Sequence, residues 1–191
     1  MLWRAARIIP ANRLVVAGRW AGRLAICHAR EKHGYSCEGE GKGPSTVVTF
    51  SPGGHAVRTD LPKAMGGKDR DPQPVELLLA SLVGCEQATA TYVARHMTPR
   101  IKLEGIDFSY EAERDPIGAQ FLPIDAEPPV SPKIERVWGE ARVKVRGGDE
   151  TAERIQTLGR LVHQRCPVAQ TLQSAGVNMD GITWVLHRGD P

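Results

Sequence analysis

Apolar residues are unevenly spread along the chain. The densest block is Pro74-Val75-Glu76-Leu77-Leu78-Leu79-Ala80-Ser81-Leu82-Val83-Gly84-Cys85, and it continues through Glu86 to Arg95-His96. Pro74 suits a first helical position, where a missing N–H is no loss. A segment apolar nearly all round marks a helix buried on most of its faces. The pattern predicts a central helix over 74–96. Ahead of it, Thr46–Phe50 is β-branched and aromatic, Ser51-Pro52-Gly53-Gly54 is turn chemistry, and His55–Asp60 resumes a strand; together they read as a hairpin. Residues 61–73 read as a loop.

Beyond the central helix, 101–113 alternates (Leu103, Ile106, Phe108, Tyr110), the Pro-rich stretch 114–132 reads as a long loop, and Val137–Val145 alternates again. Residues 149–175 carry Ile155, Leu158, Leu161/Val162, Cys166, Ala169 and Leu172, a helical period along one face. Pro167 interrupts that period, since proline breaks the hydrogen-bond ladder. A last strand is predicted over Ile182–His187. The order β-β-α-β-β-α-β does not alternate strictly, which predicts an α+β fold rather than a doubly wound one.

Composition adds bounds. The chain has 191 residues, 41% hydrophobic and 25% charged, which is ordinary globular composition. No run of 18 apolar residues exists, so no membrane span is expected. Residues 1–30 hold six Arg and no acid, while the other 161 residues hold 19 basic and 22 acidic groups. A nearly neutral body is no nucleic-acid platform, which would need a basic face to offset phosphates. Three readings of the basic extension 1–30 stand side by side: a mitochondrial presequence pointing to the matrix, an upstream start with no role in a cytoplasmic protein, and an arm that docks on a surface. Residues 31–45, Gly-rich and polar, read as a linker or loop, and the folded domain as 46–191.

The cysteines are Cys27, Cys37, Cys85 and Cys166, with no CxxC pair. The strong zinc signatures are thus absent. Cys85 lies inside the apolar helix, and Cys166 directly precedes Pro167. A new helical segment starting at Pro167 would put Cys166 at its N-cap, where free N–H groups favour a thiolate; His163 lies three residues earlier, on the same helical face, and Arg165 adjoins. Each thiol by itself also reads as a packed core residue. Two thiols on two packed helices, however, are the minimum equipment for a thiol peroxidase, one attacking and one resolving the sulfenic acid.

The block Pro74–Cys85 and the block Arg165-Cys166-Pro167-Val168-Ala169-Gln170-Thr171-Leu172 resemble the two signature helices of the OsmC/Ohr family, the osmotically induced and organic hydroperoxide resistance proteins. The resemblance covers roughly 46–187. It implies two central helices packed on curved antiparallel sheets in an intertwined homodimer, with two active sites at the subunit interface. It implies Cys85 as the peroxidatic thiol and Cys166 as the resolving thiol, organic hydroperoxides or hydrogen peroxide as substrates, a dithiol reductant such as a lipoyl group, and no metal, flavin or nucleotide cofactor. The family's Glu follows the helix-opening Pro directly; here Val75 stands there and Glu76 comes next. At about 100° per residue, nine residues put Glu76 on the opposite helix face from Cys85. Glu76 is therefore both a candidate site carboxylate and a first-turn carboxylate suited to the helix dipole. Arg30, Arg58 and Arg70 are the candidates for the family's cysteine-activating Arg. A non-catalytic domain holding a small apolar ligand between the helices is the alternative function.

Overall fold

The computed structural model describes residues 32–147 and 150–187. The basic extension 1–30 lies outside them. The described residues from 36 onward form one compact unit. It opens with a three-stranded antiparallel sheet, β1 (Ser36–Lys42), β2 (Ser45–Ser51) and β3 (Ala56–Thr59), in the order β1-β2-β3. The expected hairpin is the β2–β3 pair, with Thr46 opposite Thr59 and Val48 opposite Val57.

The expected linker over 31–45 is corrected. Its residues 36–42 are a strand, paired along its length with β2 from Ser36↔Ser51 to Lys42↔Ser45. The sequence Ser-Cys-Glu-Gly-Glu-Gly-Lys has no apolar face, and β1 is exposed throughout. Its order comes from the ladder and from the two-residue Gly43-Pro44 turn, where Gly43 supplies φ +61°. Behind β3, the buried Asp60 pins the following loop: its carboxylate accepts from Ser45 Oγ (3.0 Å) and from the backbone N–H of Leu61 (2.8 Å), Lys68 (3.0 Å) and Arg70 (3.3 Å). Those bonds, Leu61's first, hold the Asp60 carboxyl below its ordinary range against the opposing effect of burial.

The central helix α1 is Pro74–His96, as predicted. Pro74 opens it, and a capping box joins Gln73 and Glu76. The expectation of burial on most faces is not met within one chain. The buried residues Leu82, Glu86, Ala90, Val93 and Ala94 form a stripe, while Val75, Leu78 and Tyr92 are exposed. By length and composition α1 could cross a bilayer: an 18-residue window has mean hydropathy 1.2, with 28% of it buried. Its buried stripe nevertheless packs on other elements of the same unit, as a core helix does.

The second sheet holds β4 (Leu103–Glu113), β5 (Arg136–Val145) and β6 (Asn178–Leu186) in the order β4-β5-β6. β4 and β5 are antiparallel. β5 and β6 run parallel, so this sheet is mixed and not antiparallel as expected. A parallel pair needs a crossover, and α3 (Ala152–His163) with α4 (Pro167–Ser174) provides it. The short helix α2 (Ile117–Gln120) interrupts the long loop before β5.

The core lies between the helices and this mixed sheet. Ile155, Leu158 and Val162 of α3 join Val137, Ala141 and Val143 of β5, Trp184 of β6, and Leu82 and Ala90 of α1. Each large aliphatic side chain fully removed from water contributes about 1.5–3 kcal/mol. Gly159 lets α3 lie directly on Trp184: a Cβ there would stand 2.3 Å from the indole ring.

Candidate functional site

The turn between α3 and α4 positions Cys166. Its backbone N–H donates to Val162 O (2.8 Å) at the end of α3, and Pro167 then starts α4. Cys166 is the N-cap, as expected, and its Sγ accepts from Ala169 N–H at 3.5 Å. The residue is fully buried. Cys85 of α1 is half-buried, and its thiol lies near enough to Cys166 to affect the ionisation of that residue. Both are free thiols. The structure thus brings together the two cysteines singled out in the sequence, 81 positions apart.

The expected thiolate character of Cys166 is corrected. Burial pushes its thiol up to about 11, and the neighbouring Cys85 pushes the same way. The N–H groups of Ala169 and Val168 act in the opposite direction and do not prevail. A helix N-terminus stabilises an anion only modestly, whereas removing a charge from water costs more. Arg165 gives no help, being exposed with Nη1 on Leu161 O (3.4 Å).

Beside the thiols lies a buried polar group that sequence reasoning passed over. Glu86 follows Cys85 directly and is wholly inaccessible to solvent. Its Oε2 accepts from the Tyr110 hydroxyl of β4 at 2.6 Å. Its Oε1 lies 3.0 Å from His163 Nε2 at the end of α3, a close approach without hydrogen-bond alignment. Burial, then the Glu86 charge and the hydrogen bond to it, push the Tyr110 phenol far up, and an ionised Cys166 would add to this. One signal was legible: Glu86 is the only acid in α1 after the first turn.

Glu76 completes the capping box in the first turn of α1. It is exposed and accepts from Gln73 N–H at 2.7 Å, about 13 Å along the helix axis from Cys85. Arg58 and Arg70 are exposed as well, and Arg30 lies outside the described residues. His163 is not on one helix with Cys166, because α3 ends at His163. Among the described residues no three His, Cys, Asp or Glu side chains are grouped to hold a metal ion.

The model of the family described as OsmC-like protein matches residues 66–180. The chain belongs to the OsmC-like protein family. Solved structures agree on the fold of this family member. An OsmC-like protein from Mycoplasma pneumoniae superposes with a TM-score of 0.63 at 17% identity, covering 83% of this chain and 100% of that one. An OsmC-like protein of unknown function from Vibrio cholerae gives 0.63 at 13%, covering 82% and 100%. An organic hydroperoxide resistance protein OsmC from Legionella pneumophila gives 0.60 at 18%, covering 82% and 100%. No match to a curated protein was found.

In this OsmC-like chain a cleft of about 640 Å³ opens between α3 and β6, with His163, Gly159, Gln170 and Trp184 on its walls. His163 and Trp184 meet edge to face, ring centres 6.3 Å apart. Chemically, the arrangement offers two adjoining thiols in an apolar setting and a buried Tyr–Glu–His group at their side.

Proposed function

We propose that the protein is a thiol-dependent peroxidase that reduces organic hydroperoxides through Cys85 and Cys166. The proximity of the two thiols, one on α1 and one at the start of α4, carries this reading. Cys85, the more accessible thiol, attacks the peroxide oxygen; the O–O bond breaks, the alcohol leaves, and Cys85 becomes a sulfenic acid. Cys166 then closes a disulfide and releases water. A small dithiol such as a lipoyl group returns the pair to thiols by exchange. Family kinship and the hydroperoxide resistance protein among the similar structures support this assignment.

The working form in this reading is a homodimer. The exposed apolar residues Val75, Leu78 and Tyr92 on α1, and a first strand bare along its length, are surfaces a second copy would cover. The Arg-rich extension fits a mitochondrial matrix protein.

The test is a free-thiol count and intact mass after one equivalent of cumene hydroperoxide. Rapid loss of two thiols with a Cys85–Cys166 disulfide in the peptide map is the expected result. Unchanged thiols over minutes would overturn it. The second reading, a non-catalytic domain binding a small apolar ligand, draws on the α3–β6 cleft and would then lead.

A further inference from the structure

The cleft of about 640 Å³ between α3 and β6 is used by no step of the two-thiol scheme. Its α3 wall is Gln156, Gly159, Arg160, His163 and Gln164, spaced as one face of a helix. That face runs beside the buried one of Ile155, Leu158 and Val162. A solvated helix face commonly mixes both signs of charge. This one carries a guanidinium, an imidazole and two amides, and among the described residues no acid lines any part of the cleft. Arg160 is exposed and, among the described residues, forms no ion pair.

Two more amides come from α4. Gln170 Nε2 donates to His163 O (2.8 Å) and to Gln173 Oε1 (2.9 Å). The Gln173 carbonyl is thereby engaged, which leaves its NH2 group to donate. On the β6 side Trp184 is 5% exposed, and its buried Nε1, a donor only, has no hydrogen-bond partner. Ile182 and Val185 beside it are apolar. His163 Nε2 is turned inward, 3.0 Å from Glu86 Oε1 and shut off from solvent, so the exposed 18% of that side chain is its outer edge. The cleft therefore presents uncompensated positive charge, an amide N–H and an unpaired indole N–H around apolar side chains.

We propose that this cleft binds a small organic carboxylate with an apolar body, its carboxylate held by Arg160 and its body seated against Trp184, Ile182 and Val185. Small-molecule sites share this make-up, a concave volume of such size with a few convergent polar groups. A guanidinium matches a carboxylate with two parallel N–H···O bonds. An acceptor oxygen in the cleft would also satisfy Trp184 Nε1, since leaving a buried donor unpaired is costly. The negative charge separates this ligand from the purely apolar one of the second functional reading. The inference does not rest on the peroxidase reading, because Arg160, Gln173 and Trp184 take no part in the thiol steps.

The test is calorimetric titration of the reduced full chain with 1-naphthoate near neutral pH, and with 1-naphthalenemethanol as its uncharged counterpart. A single saturable site per chain is expected, with the alcohol bound about tenfold more weakly, since a hydrogen bond to a charged group is worth at least that factor. Arg160→Gln is expected to weaken 1-naphthoate about tenfold and to leave the alcohol unchanged. Gln156→Trp fills the cleft from an exposed position on α3 and is expected to abolish binding of both. Lys102→Gln removes an exposed cation outside the cleft and is expected to keep the parental affinity. Circular dichroism checks that each variant is folded. Absence of saturable binding by the parent overturns the proposal, as does equal affinity for acid and alcohol. Parental affinity for 1-naphthoate in folded Arg160→Gln or Gln156→Trp overturns it too, by placing the probe elsewhere. A loss in Lys102→Gln as large as that in Arg160→Gln overturns it as general charge attraction. With no peroxide added and the thiols kept reduced, none of these outcomes bears on the peroxidase reading.

Discussion

The Tyr110 hydroxyl donates to Glu86 Oε2 at 2.6 Å, tying β4 to α1 at a point where the carboxylate is wholly buried. Leaving a buried acceptor without its donor costs about 1–3 kcal/mol. Tyr110→Phe keeps the ring and removes the donor, so urea unfolding is expected to show a loss of about 2 kcal/mol. A loss below about 0.5 kcal/mol would mean that the bond adds nothing net in solution.

Glu76 is expected to matter for the helix end and not for the thiols. Glu76→Ala removes the capping-box acceptor and is expected to cost about 1 kcal/mol, whereas Glu76→Gln retains an acceptor and stays near the parent. Cumene hydroperoxide is expected to titrate the thiols of both variants at the parental rate. A slower reaction in Glu76→Gln would instead give this carboxylate the site role that the family resemblance implies.

The ionisation of Cys166 predicts a pH window for stability. Burial raises the folded thiol from 9.0 to about 11, so the unfolded chain loses this proton first as pH rises. The contribution is complete below the unfolded value and is lost as pH passes through the folded one. Urea midpoints are expected to fall more steeply between pH 9.0 and about 11 for the parent than for Cys166→Ala. Parallel curves for the two proteins would contradict the raised value.

Gly159 is a packing residue. A methyl group there would stand 2.3 Å from the Trp184 ring, and α3 would have to lift off the sheet. Overpacking of this kind costs about 1–3 kcal/mol. Gly159→Ala is expected to lower the melting temperature, with the Trp184 fluorescence shifted. Ala normally favours a helix, so an unchanged or higher melting temperature would show that the indole moves aside freely.

Much of this protein is written locally. The bounds of α1 follow from Pro74 and a 23-residue segment that carries only two acids, and the N-cap at Cys166 follows from the proline after it. These features depend on neighbours within a helical turn or two, which a sequence displays directly. The same holds for the β2–β3 hairpin, whose turn chemistry lies between its two strands.

Other features exist only through partners distant in the chain. β1 has no apolar pattern and becomes a strand because β2 supplies its ladder. The parallel pairing of β6 on β5 is a matter of how the α3–α4 crossover returns the chain, not of the strand's own residues. The sequence by itself determined the family, the two main helical blocks and the two cysteines. Tertiary structure alone decided that those thiols come near one another, and that Glu86, Tyr110 and His163 converge from three elements. It also decided that Cys166 keeps its proton, because solvent exclusion depends on what the whole fold places around a residue and not on the helix end it occupies.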